Sequence, residues 1–350
     1  MTPTAASCLG VSYVKAVLLH RPKPIEQNPL SVEEVPIPPI GRGQVLVKVG
    51  ACGVCRSNLH MIEGDWVDKG VPAKSPIVPG HEITGSVSKC GEDVDAFEEG
   101  DRVGVQPLWS TCGTCEFCLT GRENICRSKE ITGESVDGGF AEYMVADANH
   151  LYHLPDNLKD AEAAPLFCPG ITAYGAVKKA ELRVGKRVAV FGVGGVGHMV
   201  VEFARLNGAD VVAVTRSSRG LTLAKELGAL EVVDISKGNQ EDWLKRIGPV
   251  DSSIVFAPST ELAQLAMRAT KPGGTTVIGV FVELGTLPFV EEKRVVGSVI
   301  GSRQDMMEVL RLASDRKIRP IYEEFKLEMA NEVLKMLKTG RIRARAVLVP

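Results

Sequence analysis

Two periodicities divide the chain. Up to about residue 150 the apolar positions fall in short alternating runs: KAVLLH from Lys15, QVLVKVGACGV, GHEITGSVSKCG and DRVGVQPL. Alternation of β-branched with polar residues predicts strands. CRSNLHMIEG, which continues from QVLVKVGACGV, has the spacing of a short helix and sets Cys55 at a strand-to-helix junction. Residues 21–43 carry Pro22, Pro24, Pro29, Pro36, Pro38 and Pro39, which exclude long helices and favour short strands and turns. Residues 1–12 read as a tail. The first part is therefore expected to be an all-β, barrel-like unit.

Around Asp156 the pattern changes. DAEAAPLFCPGITAYGAVKKA has helical spacing around Pro165 and Pro169. RVAVF, GHMVVEFARLNG and ADVVAVTRS then read as strand, helix and strand. The alternation continues through AKELGALEVVD, DWLKRIG, VDSSIVFA, ELAQLAMRAT and GGTTVIGVF. Apolar strands alternating with amphipathic helices predict a doubly wound parallel sheet over residues 163–300. EVLRLASDRKI and MANEVLKMLKTG read as helices, and ARAVLVP as a last strand that rejoins the first unit. Two units follow: residues 1–162 with 301–350, and residues 163–300.

Composition adds exclusions. The 350 residues suggest about two domains. A formal net charge of -2 gives no reason to expect a nucleic-acid or acidic-membrane partner. The most apolar stretch, residues 188–201, is interrupted by glycines, so no membrane span is expected. MTPTAASCLGVSYVK lacks a basic region followed by an unbroken apolar core, so no signal peptide is read and the cytoplasm is the expected location. Without an export signal, the 9 cysteines point to metal ligation before disulfides.

Cys55 and His81 are candidate zinc ligands, with Ser57, His60 and Glu82 beside them. No local finger pattern is completed, so a third ligand must come from elsewhere. Three protein ligands leave zinc an open position, as catalysis requires. Cys168 is a candidate, although a lone cysteine in an apolar segment is more often core. Cys112, Cys115, Cys118 and Cys126 in CGTCEFCLTGRENIC form a closed thiolate set over residues 110–127. That set suits structural zinc, with an iron–sulfur cluster as the alternative. Cys8, Cys52 and Cys90 are left over and read as reduced bystanders, though Cys52 and Cys55 also have the spacing of a redox dithiol. Leu59, Trp66, Leu108 and Trp109 are candidates for an apolar substrate pocket or for ordinary core.

Gly192, Gly194 and Gly197 form G-x-G-x-x-G, with Gly195 and Val196 inside it, between a strand and a helix. Such glycines let backbone N–H groups and a helix N-terminus approach a pyrophosphate. NAD-binding versions carry Asp or Glu at the end of the next strand. Here Thr215, Arg216, Ser217, Ser218 and Arg219 stand there instead. A carboxylate would repel a 2′-phosphate and arginine binds one, so NADP(H) is expected over NAD(H) unless these arginines only line a solvated loop.

GVCRSNLH, GHE, the four-cysteine stretch, Cys168 before GITAYGA and GVGGVG occur together in one order. That order resembles the zinc-containing alcohol dehydrogenases of the medium-chain dehydrogenase/reductase superfamily over almost the whole chain. APLFCPGITAY and the missing carboxylate look most like its NADP-dependent, cinnamyl-alcohol-type branch. The resemblance implies a GroES-like catalytic unit with a Rossmann-type cofactor unit. It makes Cys55, His81 and Cys168 ligands of a catalytic zinc, with Glu82 as neighbour or alternate ligand. It implies a second, structural zinc, a proton relay of Ser57 and His60, Thr172 and Ile300 at the nicotinamide end, and Arg345 at the pyrophosphate. It also implies a homodimer or homotetramer acting on a small alcohol or aldehyde. One departure is Asn58, where the family usually has Asp. Its consequence is a more electron-poor zinc or a weaker site. Rival readings are NAD-dependent polyol, threonine or formaldehyde oxidation, and a non-catalytic zinc- and NADPH-binding protein supported by Asn58 alone.

Overall fold

The computed structural model describes residues 12–350, so Cys8 and all of the expected tail except Ser12 lie outside the described residues. KAVLLH falls largely in Tyr13–Leu19, which pairs with Leu30–Pro36 in a two-stranded sheet, while the other alternating runs of the first part join strands of the C-terminal segment in one sheet of seven strands. Its path runs Tyr322–Lys326, Arg345–Val349, Gln44–Val54, Ile83–Cys90, Arg102–Val105 and Leu151–His153, with Tyr143–Asp147 also paired to Gln44–Val54. Gln44–Val54 is its axis. It buries both faces over most of its length, which is why its sequence is apolar almost throughout. ARAVLVP rejoins this unit as expected, running antiparallel to it with Ala346 opposite Val54 and Val347 opposite Gly53.

The second unit is a six-stranded, all-parallel sheet. Its order is Glu231–Asp234, Asp210–Thr215, Arg187–Phe191, Val250–Val255, Thr270–Ile278 and Arg294–Gly297. Numbered within the unit this is 3-2-1-4-5-6, the doubly wound arrangement whose order reverses beside the first strand and leaves a crevice there. The helix Gly197–Leu206 covers one face with Met199, Val200, Val201 and Phe203, all fully buried.

Tyr322–Lys326 and Arg294–Gly297 are among the strands that the sequence pattern does not single out. Tyr322–Lys326 is YEEFK, paired parallel to Arg345–Val349 with a half-exposed face, so its charges are tolerated. Arg294–Gly297 is an outer edge whose residues are half-buried or exposed. The helix Arg303–Ser314 packs Met306, Val309 and Leu310 into the same core as Val188 and Val190 of the parallel sheet. The core of the second unit therefore continues past residue 300.

The junction between units is tightly packed at Phe167, the residue before Cys168. It is fully buried, and a Cβ on Gly104 of the strand Arg102–Val105 would lie 1.9 Å from its ring. Gly104→Ala is expected to displace Phe167 and to lower stability by about 1–3 kcal/mol, read by urea unfolding. Unchanged stability would mean that the ring moves freely.

Candidate active site

The strand Gln44–Val54 runs into Cys55, which caps the helix Arg56–Glu63. The Cys55 N–H donates to Asn58 Oδ1 at 2.9 Å, closing one half of a capping box. Cys168 precedes the helix Pro169–Lys179 in the same way, and its Sγ lies 3.8 Å from Cys55 Sγ. His81 and Glu82 precede the strand Ile83–Cys90. One ligand atom from each of Cys55, His81, Glu82 and Cys168 lies within 4.8 Å of the others, and all four residues are buried.

The donor set fits zinc. A tetrahedral ion with Zn–S bonds of about 2.3 Å holds its sulfurs about 3.8 Å apart. The two sulfurs share a hydrogen bond in which either can donate. That bond, with the Arg345 guanidinium and His81, holds Cys55 well below its ordinary range although burial opposes it. The same contact, with burial, pushes Cys168 well up. Two sulfurs sharing a proton in a dry site are a ready exchange for a cation.

Glu82 is fully buried and pairs through both oxygens with Arg345, Nε to Oε2 at 3.0 Å and Nη2 to Oε1. Its Oε1 also lies 4.0 Å from His81 Nε2. The approach needs Gly53, where a Cβ would sit 2.0 Å from Glu82 Oε2. The third guanidinium nitrogen, Nη1, lies against the glycine turn, 2.4 Å from where a Gly195 Cβ would be. Arg345 thus spans from the ligand cluster to the loop of Gly192, Gly194, Gly195, Val196 and Gly197.

Cys112, Cys115, Cys118 and Cys126 form the second cluster, with Sγ separations of 3.5, 3.6 and 3.9 Å. These are again the edges of a tetrahedron around one ion. The N–H groups of Thr114 and Cys115 lower the Cys112 thiol to about 6. The cluster lies on a lobe whose cysteines range from exposed to buried. Cys52, by contrast, is buried in the apolar core and its thiol is pushed well up by burial, opposite to the lowered pKa of a reactive dithiol cysteine. Cys90 donates to the Phe97 carbonyl at 3.3 Å.

Ser57 Oγ lies 3.5 Å from His81 Nε2, on the ligand side of the imidazole. His60 is further along the same helix, half-exposed, with Nδ1 2.6 Å from Asp65 Oδ2 and its ring against Trp66. Among the described residues no hydrogen bond joins Ser57 to His60. The Thr172 hydroxyl bears on the Cys168 sulfur and favours its thiolate. Ile300 has φ of 48°, rare for a β-branched residue. Thr215 ends its strand buried. Ser217 caps the next helix by accepting from Gly220 N, and Arg219 donates to the Gly340 carbonyl at 2.9 Å. Of the expected phosphate-binding group, Arg216 is exposed and makes no hydrogen bond among the described residues. Leu59 belongs to the apolar core, Leu108 is fully buried, and Trp109 donates to the Val145 carbonyl.

Sequence reasoning missed Glu134. Its turn packs on Gly80, the residue before His81. Burial raises its carboxyl pKa, His81 opposes the rise and Cys55 adds to it. No motif marks Glu134, because only the fold brings that turn to the ligands.

The comparisons agree with one another. Residues 41–156 match the alcohol dehydrogenase GroES-like domain, and residues 195–315 match the zinc-binding dehydrogenase family. An alcohol dehydrogenase of Geobacillus stearothermophilus is 40% identical over 328 residues, spanning 92% of this chain and 96% of its own. The alcohol dehydrogenase of the hyperthermophilic archaeon Aeropyrum pernix superposes with a TM-score of 0.88 at 34% identity, over 96% of this chain and 100% of that one. An acetophenone reductase from Geotrichum candidum in complex with NAD gives 0.85 at 28% identity, over 97% of each chain. A cinnamyl alcohol dehydrogenase from Sorghum bicolor gives 0.85 at 28% identity, over 97% of this chain and 98% of that one.

Asn58 has a consequence that the geometry decides. Its one carbonyl oxygen is taken by Cys55 N–H, so its amide nitrogen, a donor, faces His81 Nδ1 at 3.4 Å. An imidazole that ligates through Nε2 needs an acceptor for its other N–H. An aspartate could accept from both partners. Asn58→Asp is therefore expected to tighten zinc at the Cys55, His81 and Cys168 site by about 10- to 100-fold in chelator competition. Unchanged or weaker retention would contradict this reading of Asn58.

Proposed function

We propose a specific reaction for this chain, which belongs to the zinc-type alcohol dehydrogenases of the medium-chain dehydrogenase/reductase superfamily. The reaction is interconversion of a primary alcohol and its aldehyde with NADP(H), as in the cinnamyl-alcohol-type branch. The observation that carries it is the buried set of Cys55, His81 and Cys168, with Ser57 beside the imidazole and Arg345 reaching to the glycine turn. When bound, zinc supplies Lewis-acid polarisation of the substrate oxygen and the nicotinamide supplies or takes the hydride.

The protein's own residues do the rest. Cys55, His81 and Cys168 hold the metal with three ligands, so that one position is left for the substrate oxygen. Glu82, neutralised by Arg345, adds no net charge there. Ser57 gives or takes the proton of the substrate oxygen, and His60, partnered by Asp65, faces solvent on the same helix. Thr172 and Ile300 flank the nicotinamide end, and the glycine turn with Arg345 receives the pyrophosphate. We place the cofactor unit at residues 163–300, with residues 1–162 and 301–350 forming the catalytic unit. The packing of the helix Arg303–Ser314 extends the cofactor side's core beyond that boundary. We propose two zinc ions per chain, one at each cluster, and a cytoplasmic location. No described helix is long and apolar enough to cross a membrane.

NADP(H) preference rests on Arg216. No carboxylate stands at the C-terminal end of the strand Asp210–Thr215. Asp234, opposite Thr215 on the next strand, accepts from Ser236 in its own loop. Arg216 is free to meet a 2′-phosphate, whereas Arg219 and Ser217 are already engaged. A homodimer or homotetramer is supported by the open edge strand Arg294–Gly297 and by exposed Phe281, Phe289 and Val290 nearby.

Four outcomes are expected. In initial rates over a panel of aliphatic and aromatic aldehydes, NADPH is preferred to NADH. Arg216→Ala lowers kcat/KM for NADPH by about 10- to 100-fold and leaves that for NADH nearly unchanged. Preference for NADH would return the polyol-type rivals. Ser57→Ala lowers kcat by about 10²- to 10⁴-fold with zinc content intact. Turnover near wild type would remove Ser57 from the relay. Light scattering on the eluting protein gives a mass of two or four chains, and a monomer would refute the assembly.

A further inference from the structure

Between the cysteines Cys118 and Cys126, the lobe carries Glu123 and Asn124 in a short turn, Glu123–Ile125. Both side chains leave the lobe and cross to residues 299–303. Asn124 Nδ2 donates to the Val299 carbonyl at 2.9 Å. Glu123 Oε1 accepts from the Arg303 N–H at 2.5 Å. Arg303 is the first residue of the helix Arg303–Ser314, whose leading N–H groups have no partner within the helix. Ser302 and Asp305 satisfy each other there in a capping box, and Glu123 takes the next donor. Glu123 is itself buried, so a carboxylate of the lobe is spent on the N-terminus of a helix that packs on the parallel sheet.

Ile300 lies between these two attachments. It is held at φ of 48°, a left-handed conformation that a β-branched residue keeps only where the surroundings enforce it. On its other side the helix Pro169–Lys179 closes the cage. A Cβ at Gly175 would lie 2.6 Å from the Ile300 carbonyl oxygen, and Lys179 Nζ reaches Ser298 Oγ at 3.3 Å. The helix that begins after Cys168 therefore grips residues 298–301 from one side, and the four-cysteine lobe grips residues 299–303 from the other.

We infer that the four-cysteine lobe sets the backbone of residues 299–303 through Asn124 and Glu123, and thereby shapes the nicotinamide end of the cofactor site. Glu123 and Asn124 are positioning residues, acting through Ile300. The inference rests on the reading that Ile300 touches the nicotinamide. A metal held by Cys112, Cys115, Cys118 and Cys126 would then bear on cofactor affinity as well as on stability. When the lobe loosens, the carbonyl of Val299 and the N–H of Arg303 lose fixed partners, and Ile300 relaxes out of its left-handed conformation.

The test is NADPH binding to the zinc-replete full-length protein, followed by NADPH fluorescence, for Asn124→Ala, Glu123→Gln and Ile300→Gly. Zinc content and thermal unfolding are measured alongside. Asn124→Ala and Glu123→Gln are expected to keep the wild-type zinc content and to raise the Kd for NADPH by about 3- to 10-fold. KM for NADPH should rise with it, while KM for the aldehyde stays nearly unchanged. A role confined to stability would lower Tm without this split. Wild-type NADPH affinity in Asn124→Ala and Glu123→Gln, with zinc retained, overturns the inference whatever Ile300→Gly does. Ile300→Gly is expected to weaken NADPH. An unchanged Kd in that variant would overturn the placement of Ile300 at the nicotinamide, and the inference with it.

Discussion

A buried ion pair between Glu82 and Arg345 joins the parts of this molecule on which its chemistry depends. Both residues are almost wholly inaccessible. Burying two charges is expensive, and only a two-pronged pairing of guanidinium with carboxylate offsets it. Removing one partner of such a pair costs about 3–5 kcal/mol, because the other charge is left alone in a dry interior. Glu82 belongs to the ligand cluster and Arg345 to the last strand of the chain. The pair therefore forms only once the C-terminus has crossed back from the parallel sheet and paired with Gln44–Val54. Its free nitrogen lies on the glycine turn of the other unit, so one side chain registers the metal cluster against the cofactor loop.

Around that pair, each ligand is placed by the same local device. Cys55 and Cys168 each stand immediately before a helix, and His81 before a strand. Residues at such junctions take non-helical backbone angles and point away from the element that follows, while the element itself is locked by its core. The metal cluster thus borrows rigidity from the strand Gln44–Val54 and from the helices that follow its two cysteines. The four-cysteine lobe does the same at one remove. Its Glu123 and Asn124 fasten the segment that carries Ile300. The charge balance of the cluster is also set locally. Zinc with two thiolates and a neutral imidazole is electrically neutral, and Glu82 is matched by Arg345. Glu134 is a further carboxylate in this environment, its acidity opposed by burial and by Cys55 and favoured by His81.

Most of the architecture was legible in the sequence because its periods are clean. The strand Arg187–Phe191, the glycine turn and the helix Gly197–Leu206 read directly from RVAVFGVGGVGHMVVEF. Tyr322–Lys326 was not legible, since a charged, half-exposed strand has no apolar alternation to display. Cys55 and His81 stood out by residue type, but Cys168 needed a family resemblance, as nothing local separates it from a core cysteine. Ser217 and Arg219 show the reverse limit. They have the right chemistry for a phosphate, yet one caps a helix and the other bonds the Gly340 carbonyl. Glu134, Glu123 and Asn124 had no signal, because their significance arises only from what the fold brings opposite them.

The central claim is that Cys55, His81 and Cys168 hold a zinc with a position open to the substrate oxygen. The most direct test replaces zinc at that site by cobalt(II) and follows its visible spectrum as alcohol or aldehyde is added with cofactor. The account predicts tetrahedral, thiolate-ligated bands that shift on substrate binding and are lost in Cys55→Ser, while the cobalt or zinc of the lobe is indifferent to substrate. A spectrum that does not respond to any alcohol or aldehyde would show a closed site, and would contradict the account at its base.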